Sequence, residues 1–302
     1  MSLGWQLWEG GRLVEFCCSN SASTKCNVNY ILSGNIPKEI GDLSELRFIS
    51  LESNAINGII PTTIGKLIKL EELLLSSNKI QGEIPKEIGK MQSLKKLSLK
   101  GNNISGHLPY EIINLENMEW IYLSSNSLSG SIPKEIGKMK KITYLNFSNN
   151  QFSGNIPNEL GRLYKLQYLN LSNNRFTGQI PLELGDLNIF RLNLEDNQLN
   201  GIIPEHLGNL INLVHLNLSS NQISDSIPSS INLLKNLKKI ELQNNQLFGE
   251  INMLFKEMES IEEINLSNNE LTGFFPDHLG MLNNLVSVNF SFNNLSGKVP
   301  DN

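Results

Sequence analysis

Apolar and polar residues recur along the chain in one phrase of 24 residues. In the stretch from 46 to 70 the apolar positions are Leu46, Ile49, Leu51, Ile56, Ile60, Ile64, Leu67 and Leu70. The alternating apolar residues at the start of the phrase predict a short strand whose leucines point inward. The apolar residues at the end have nearly helical spacing over too short a span for a long helix, which predicts short helical or 3₁₀ turns.

The proline positions show that this phrase is a structural repeat. All eleven prolines occupy one slot of the phrase, and successive prolines are 24 residues apart with two exceptions. One step of 23 residues separates Pro181 from Pro204, and one of 48 separates Pro228 from Pro276, where Asn252 holds the slot between them. Even spacing of this kind indicates a stack of equal coils, each packed only on its neighbours. The sequence therefore predicts a solenoid.

Three residue types recur at the corners of each coil. An asparagine lies seven residues before the proline slot, and its amide both donates and accepts, so we expect it to satisfy backbone groups of adjacent coils. A glycine three residues before the slot permits backbone angles or close approaches that a side chain would prevent. Proline fixes its own φ and favours an extended residue before it.

Strands are predicted to begin at the first apolar residue of each coil. These positions are Leu46, Leu70, Leu94, Met118, Ile142, Leu166, Ile189, Leu213, Leu237, Ile261 and Leu285. The weakest coil spans 249 to 264, where Asn252 replaces proline and Lys256 replaces the later glycine. The run from 251 to 264 predicts either a longer outer helix or simple drift within one coil.

The repeated phrase LxxLxLxxNxLxGxIPxxIGxLxx resembles the plant-type leucine-rich repeat, found in plant receptor kinases, receptor-like proteins and polygalacturonase-inhibiting proteins. The resemblance covers about residues 31 to 302. It implies an α/β solenoid, a right-handed leucine-rich-repeat superhelix with a concave parallel β-sheet and short 3₁₀ or helical turns on the convex side. We expect an irregular N-terminal cap over residues 1–30 and one repeat domain over residues 31–302, with about eleven 24-residue repeats.

The three cysteines, Cys17, Cys18 and Cys26, all lie in the predicted cap. An odd number leaves at least one of them unpaired within the chain. The resemblance implies a disulfide from Cys17 or Cys18 to Cys26. It also implies a first strand near residues 11–16, with Leu13, Phe16 and Cys18 pointing inward, followed by a looped insertion or a damaged repeat over residues 19–30.

Charge and hydropathy exclude some classes of partner. The net charge of −5 comes from interleaved acidic and basic residues, and the pI is about 5.5, so nucleic acid is not an expected partner. No apolar stretch is long enough for a membrane span, and residues 1 to 16 lack the apolar run of a secretory signal.

The residues between the inward leucines are expected to point out from the concave face of the sheet. The column just before those leucines contains consecutive aromatics and then a basic stripe, and we hypothesise one ligand-binding surface. Its residues are Trp120, Tyr122, Tyr144, Tyr168, Arg191, His215 and Lys239. Aromatic and arginine side chains commonly anchor interfaces, and the basic end suits a polypeptide with an acidic segment. The alternative is that the aromatics only stabilise the sheet by stacking.

Seven N-x-S sequons are candidates for glycosylation. They begin at Asn103, Asn146, Asn170, Asn217, Asn265, Asn289 and Asn294. Seven acceptors favour a secreted glycoprotein. The repeat phrase LNLS produces sequons by itself, however. Five of these asparagines, all but Asn103 and Asn294, lie in one column on the sheet that is equally compatible with a hydrogen-bonded ladder.

No motif indicates catalysis, a metal site or a cofactor. The four histidines, His107, His206, His215 and His278, have neither metal-ligand nor triad spacing. We therefore expect a non-catalytic module, not an enzyme, that recognises a protein or peptide on its concave face, with a possible co-receptor. The resemblance implies an extracellular or cell-surface location. The alternatives are an enzyme inhibitor similar to polygalacturonase-inhibiting proteins and a cytoplasmic protein-binding scaffold.

Overall fold

The computed structural model describes residues 5–18, 31–256 and 258–297. The chain divides into two compact units, residues 1–152 and 153–302. Both units are built from leucine-rich-repeat coils with parallel strands and 3₁₀ turns, as the repeat predicts. The predicted boundary at residue 30 stays a prediction, and the predicted insertion over residues 19–30 lies outside the described residues.

The first sheet contains one strand from each coil. In unit 1 an antiparallel hairpin is followed by parallel strands, namely Trp5–Glu9, Arg12–Cys17, Phe48–Ser50, Glu72–Leu74, Lys96–Ser98, Trp120–Tyr122 and Tyr144–Asn146. In unit 2 the strands are Tyr168–Asn170, Arg191–Asn193, His215–Asn217, Lys239–Glu241, Glu263–Asn265 and Ser287–Asn289. Most strands begin two residues after the predicted start, because the first leucine of each coil is buried ahead of the strand ladder, as Leu46 and Leu70 are.

The structure contains a second set of parallel strands that was not predicted from the sequence. In unit 1 it comprises Ser33–Asn35, Ala55–Asn57, Gln81–Gly82, Asn103–His107 and Ser127–Gly130. Gln151–Asn155 spans the unit boundary, and unit 2 continues with Arg175–Gln179, Gln198–Gly201, Gln222–Ser226, Gln246–Glu250 and Glu270–Thr272. The signal was present, because the LxGxI segment alternates apolar and small or polar residues with the period of a strand.

A 3₁₀ helix follows the proline in most coils. The helices are Lys38–Asp42, Thr62–Lys66, Lys86–Lys90, Tyr110–Asn114 and Lys134–Lys138 in unit 1, and Asn158–Arg162, Leu182–Asp186, Glu205–Asn209, Ser229–Leu233 and Asp277–Met281 in unit 2. Each proline lies immediately before its helix with extended backbone, as Pro85 does at φ −68° and ψ 137°. The missing N–H of proline costs nothing there, since the first amides of a helix have no partner within it.

The predicted longer helix over 251–264 is absent from the described part of that segment. Residues 252–256 form turns, and Phe255 has a φ of 64°, a left-handed conformation that interrupts a helical backbone. Asn252, in the proline slot, accepts a hydrogen bond from the Phe274 amide at 2.7 Å and donates to Glu250 at 2.9 Å. The side chain of Asn252 thus joins two coils where proline cannot.

The corner asparagines connect each coil to the one before it. The Oδ1 atom of Asn78 accepts from the Ile56 amide at 3.0 Å, and its Nδ2 donates to the Leu51 carbonyl at 2.8 Å and the Leu75 carbonyl at 3.0 Å. One amide therefore satisfies backbone groups of two coils, which confirms the expected role. The same arrangement occurs at Asn102, Asn126 and Asn150 in unit 1 and at Asn197, Asn221, Asn245, Asn269 and Asn293 in unit 2.

The N-terminal cap begins with a hairpin that the sequence analysis did not recognise. Gly10 and Gly11 form its two-residue turn with φ values of 56° and 78°, which only glycine adopts readily at both positions. Cys17 forms a disulfide, and Cys26 lies outside the described residues. Cys18 is a buried thiol, and burial raises its pKa.

The predicted inward positions of the cap are largely confirmed. Phe16 pairs with the buried Ile49 of the next strand, and Cys18 is fully buried. Leu13 and Phe16 are only half-buried, and both line an apolar cavity of about 340 Å³. Val14 is buried as well, because the hairpin strand covers the edge of the sheet.

Asp225 is strained because it occupies the slot that glycine holds in the neighbouring coils. Its φ is 73°, close to the 74° of Gly201, the equivalent residue one coil earlier. A left-handed backbone is unfavourable for any residue that has a Cβ, whereas glycine adopts it freely. Aspartate tolerates this conformation better than most residues, but it still loses free energy there. We predict that Asp225→Gly raises the free energy of unfolding by about 1 kcal/mol, measured by urea denaturation.

The matched control is the reverse exchange at the equivalent slot. A Cβ at Gly201 would lie 2.9 Å from Cγ of Gln179, so Gly201→Asp is expected to destabilise the protein. Equal unfolding midpoints for Asp225→Gly and wild type would contradict the proposed strain.

Candidate functional site

The outer side of the first sheet is a ladder of side-chain columns, called here the strand face. In unit 1 the column before the inward leucines runs Phe48, Glu72, Lys96, Trp120 and Tyr144, each aligned with the next across adjacent strands. In unit 2 the same column runs Tyr168, Arg191, His215, Lys239, Glu263 and Ser287. The columns were predicted correctly because their spacing follows from the repeat alone.

Three aromatic side chains of unit 1 form the aromatic patch, Trp120, Tyr122 and Tyr144. The ring of Tyr144 stacks on Trp120 with centroids 5.4 Å apart and on Tyr122 with centroids 5.0 Å apart. The hydroxyl of Tyr144 donates to that of Tyr122 at 2.9 Å. Trp120 nevertheless remains 45% exposed. The rings are therefore held in place by one another while one large apolar surface faces solvent.

Two lysines border the aromatic patch. Lys96 Nζ lies 5.4 Å from the ring centroid of Trp120, and Lys100 Nζ lies 5.8 Å from that of Tyr122. Both distances permit an attraction between the cation and the ring. Lys96 also lies 2.9 Å from Glu72, so its charge is balanced locally.

A notch of about 430 Å³ opens beside the patch, within unit 1. Its lining includes Trp120, Tyr122, Lys100 and Glu52, and the small side chains of Ser76 and Ser98 leave the space between them. Burial raises the pKa of Glu52, although a hydrogen bond from Ser76 acts in the opposite direction. A perturbed carboxyl group beside exposed aromatics is typical of a binding site.

The predicted basic stripe of unit 2 is accompanied by acidic residues that the sequence analysis missed. Lys239 Nζ lies 3.0 Å from Glu263 and 3.2 Å from Glu241, and His215 Nε2 lies 2.7 Å from Glu241. Arg191 is exposed. Glu241 comes from the next column of the same strand as Lys239, and Glu263 follows Lys239 in its own column on the next strand. This neutralisation weakens the argument for an acidic ligand segment at this end.

The aromatic residues and the basic stripe belong to different units. Trp120, Tyr122 and Tyr144 lie in unit 1, whereas Tyr168, Arg191, His215 and Lys239 lie in unit 2. Each group occupies the strand face of its own unit. That the two groups form one ligand surface stays a prediction.

The sequon asparagines fall into two structural groups. Five lie at strand ends on the strand face, namely Asn146, Asn170, Asn217, Asn265 and Asn289, and each Oδ1 accepts from the amide of the sequon serine. Asn103 and Asn294 are exposed and follow a corner asparagine instead. The expected ladder along the column is thus a series of local turns.

The histidines are separated along the chain, and each contacts residues near it in the fold. His278 donates to the Leu254 carbonyl at 2.7 Å, His107 covers Gly130, and His206 lies in a 3₁₀ helix. Among residues 5–18, 31–256 and 258–297, no three acidic, histidine or cysteine side chains are grouped as metal ligands. In the same ranges no helix has the length and apolar character needed to cross a bilayer.

Comparison with known families agrees with this geometry. The profile of the leucine-rich repeat region matches residues 46–179, and that of the single leucine-rich repeat matches residues 188–210, 212–234 and 260–282. The chain belongs to the leucine-rich repeat family. No curated protein matches it significantly.

Solved leucine-rich-repeat structures place the chain near plant receptor ectodomains. It is 35% identical to the plant peptide hormone receptor RGFR1, solved in complex with RGF2, with a TM-score of 0.87 over 89% of this chain and 43% of that one. It is 32% identical to the Arabidopsis receptor kinase HAESA, solved with the peptide hormone IDA and the co-receptor SERK1, with a TM-score of 0.78 over 90% of this chain and 50% of that one.

A bacterial protein of the family is similar as well. A leucine-rich repeat protein of Leptospira interrogans is 33% identical, with a TM-score of 0.67 over 87% of this chain and 70% of that one. This leucine-rich repeat chain spans half or less of the plant receptors named above.

The ion-paired cluster of unit 2 predicts a pH-dependent contribution to stability. Burial acts to raise the pKa of Glu241, but hydrogen bonds from His215 and Lys239 outweigh it and lower that pKa below its usual value. A lowered pKa in the folded state stabilises the protein above the unfolded value of about 4.3, and the contribution is lost as pH falls through the folded value. Glu241→Gln should therefore destabilise the protein at pH 7, by up to about 1 kcal/mol, and by less at pH 3.

Urea denaturation at both pH values measures the difference. The control is Glu263→Gln, whose half-exposed carboxylate pairs only with Lys239 among the described residues and should contribute less. A constant difference between Glu241→Gln and wild type from pH 7 to pH 3 would contradict the assignment.

Proposed function

We propose that this chain is a non-catalytic recognition module that binds a polypeptide ligand on the strand face, with the aromatic patch as its anchor. The observation that carries the proposal is the preorganised, exposed stack of Trp120, Tyr122 and Tyr144. Rings already fixed by stacking lose little conformational freedom when a ligand binds. Tryptophan and tyrosine are also the residues most enriched among interface hot spots.

The comparisons support a receptor-like role. RGFR1 and HAESA are similar in fold and sequence, and each was solved with a peptide hormone. We infer that the ligand here is also a peptide or a protein segment, and that a co-receptor takes part, as SERK1 does in the HAESA complex. The identity of the peptide does not follow from the fold, since one fold hosts many functions.

The chemistry of unit 1 indicates what the ligand presents. The patch offers an apolar ring surface beside the ammonium group of Lys100, and the notch adds Glu52 and serine hydroxyls. A ligand with an aromatic or aliphatic side chain next to polar groups satisfies both parts. We infer an extracellular location, because the disulfide of Cys17 is typical of oxidising compartments.

The test uses random peptides displayed on phage and selected against the full chain. Enriched peptides are synthesised, and their affinities are measured by titration calorimetry for wild type and Trp120→Ala. Loss of the exposed Trp120 ring should cost about 2 kcal/mol, roughly a thirtyfold weaker affinity.

The matched control is Ile68→Ala, which removes a side chain that is 55% exposed outside the strand face. It should leave the affinity unchanged. Failure to enrich any peptide, or equal affinity for wild type and Trp120→Ala, would overturn the proposal.

A further inference from the structure

The seven sequons differ in their position within the repeat. Five lie on the strand face at the ends of strands, in the column two residues after the one that contains Trp120 and Tyr144. Asn103 and Asn294 instead follow the corner asparagines Asn102 and Asn293 and lie immediately before the LxGxI segment. The side-chain amide that would accept a glycan therefore has different surroundings in the two groups.

Four of the five strand-face sequons, all but the exposed Asn289, are buried or half-buried and have their side-chain amides in hydrogen bonds. Asn146 Oδ1 accepts from the Ser148 amide at 3.0 Å and its hydroxyl at 2.8 Å, and the residue is 5% exposed. Asn217 makes the same two contacts with Ser219, at 3.0 Å and 2.6 Å, and is 4% exposed. A sugar needs far more open surface than either residue exposes in the folded chain. The sequon serines are committed to the same turn.

Asn170 and Asn265 repeat this arrangement in half-buried positions. Their Oδ1 atoms accept from the amides of Ser172 at 3.0 Å and Ser267 at 3.1 Å. Asn170 Nδ2 also donates to the Tyr168 hydroxyl at 3.3 Å. A glycan at these positions would disturb contacts that hold the ends of the strands.

The other group is open to solvent. Asn103 and Asn294 are exposed, while their backbone amides are fixed by the carbonyls of Ile80 at 2.7 Å and Leu271 at 2.8 Å. The backbone is thus anchored and the side chain is directed outward, which is the setting a surface glycan needs.

We propose that N-linked glycans are carried by Asn103 and Asn294, and that the sequons at Asn146, Asn170, Asn217 and Asn265 stay unmodified in the folded protein. In the reaction, Nδ2 bonds to C1 of the first sugar of a lipid-linked oligosaccharide diphosphate. The bond between C1 and the phosphate oxygen breaks, the lipid diphosphate leaves, and the transferase takes up the amide proton. These four positions of the strand face then carry no sugar.

This placement has a consequence for ligand binding. Asn146 is aligned with Tyr122 of the aromatic patch, so a glycan there would cover the proposed anchor. Asn103 lies in the second set of strands, in Asn103–His107, away from Trp120 and Tyr122. The chain thereby combines a glycosylated surface with an open recognition surface.

The experiment secretes the full chain from eukaryotic cells behind a cleavable signal peptide, so it does not depend on the natural location or ligand. Asn289→Gln is used throughout, because Asn289 shares the strand-face hydrogen bonds but is exposed. Monodisperse protein is deglycosylated enzymatically in heavy-oxygen water, which labels each formerly glycosylated asparagine as aspartate, and peptides are mapped by mass spectrometry.

Label at both Asn103 and Asn294, with none at the four strand-face sequons, is the expected result. Adding Asn103→Gln and Asn294→Gln should then abolish the glycan mass, whereas these exposed substitutions leave secretion intact. Label at any of the four strand-face sequons in monodisperse protein, or absence of label from either exposed sequon, overturns the proposal.

Discussion

The structure depends on the hydrogen bonds that each corner asparagine makes to two successive coils. A coil of this repeat turns sharply, and a sharp turn leaves backbone amides and carbonyls without strand partners. The side-chain amide of Asn102 is 8% exposed and accepts from Ile80 while donating to Leu75 and Leu99. Because a buried polar group without a partner costs about 1–3 kcal/mol, these contacts stabilise the turn and fix the register of neighbouring coils together.

Fixed register is what gives the strand face its order. Since within each unit every coil is aligned with the next residue by residue, equivalent positions form columns, and a change at one position alters one place on the surface. Trp120 and Tyr144 meet because they share a column in adjacent coils, and Tyr122 joins them from the next column. The same regularity places Asn103 in the second set of strands, whereas the aromatic patch lies in the first sheet.

The structural features that follow from the repeat were predictable from the sequence. Contacts between neighbouring columns and coils that depart from the repeat were not. The strand columns, the 3₁₀ turns and the role of the corner asparagines follow from spacing alone. The pairs His215–Glu241 and Lys239–Glu263 were missed because their members meet only after the coils stack, and Glu241 was overlooked beside Lys239 because it lies in the next column. The second set of strands was overlooked because the glycine and proline of LxGxIP were taken as turn signals, although the segment also alternates as a strand does.

The account is tested most directly by hydrogen exchange at the Ile80 amide, whose acceptor is Oδ1 of Asn102. In wild type this amide should exchange as slowly as the amides of the strand ladders. In Asn102→Ala, loss of about 2–3 kcal/mol should speed its exchange by roughly 30- to 150-fold, while the adjacent exposed substitution Asn103→Ala changes little. Slow exchange at Ile80 in Asn102→Ala, as in wild type, would contradict the claim that the asparagine amides hold the coils together.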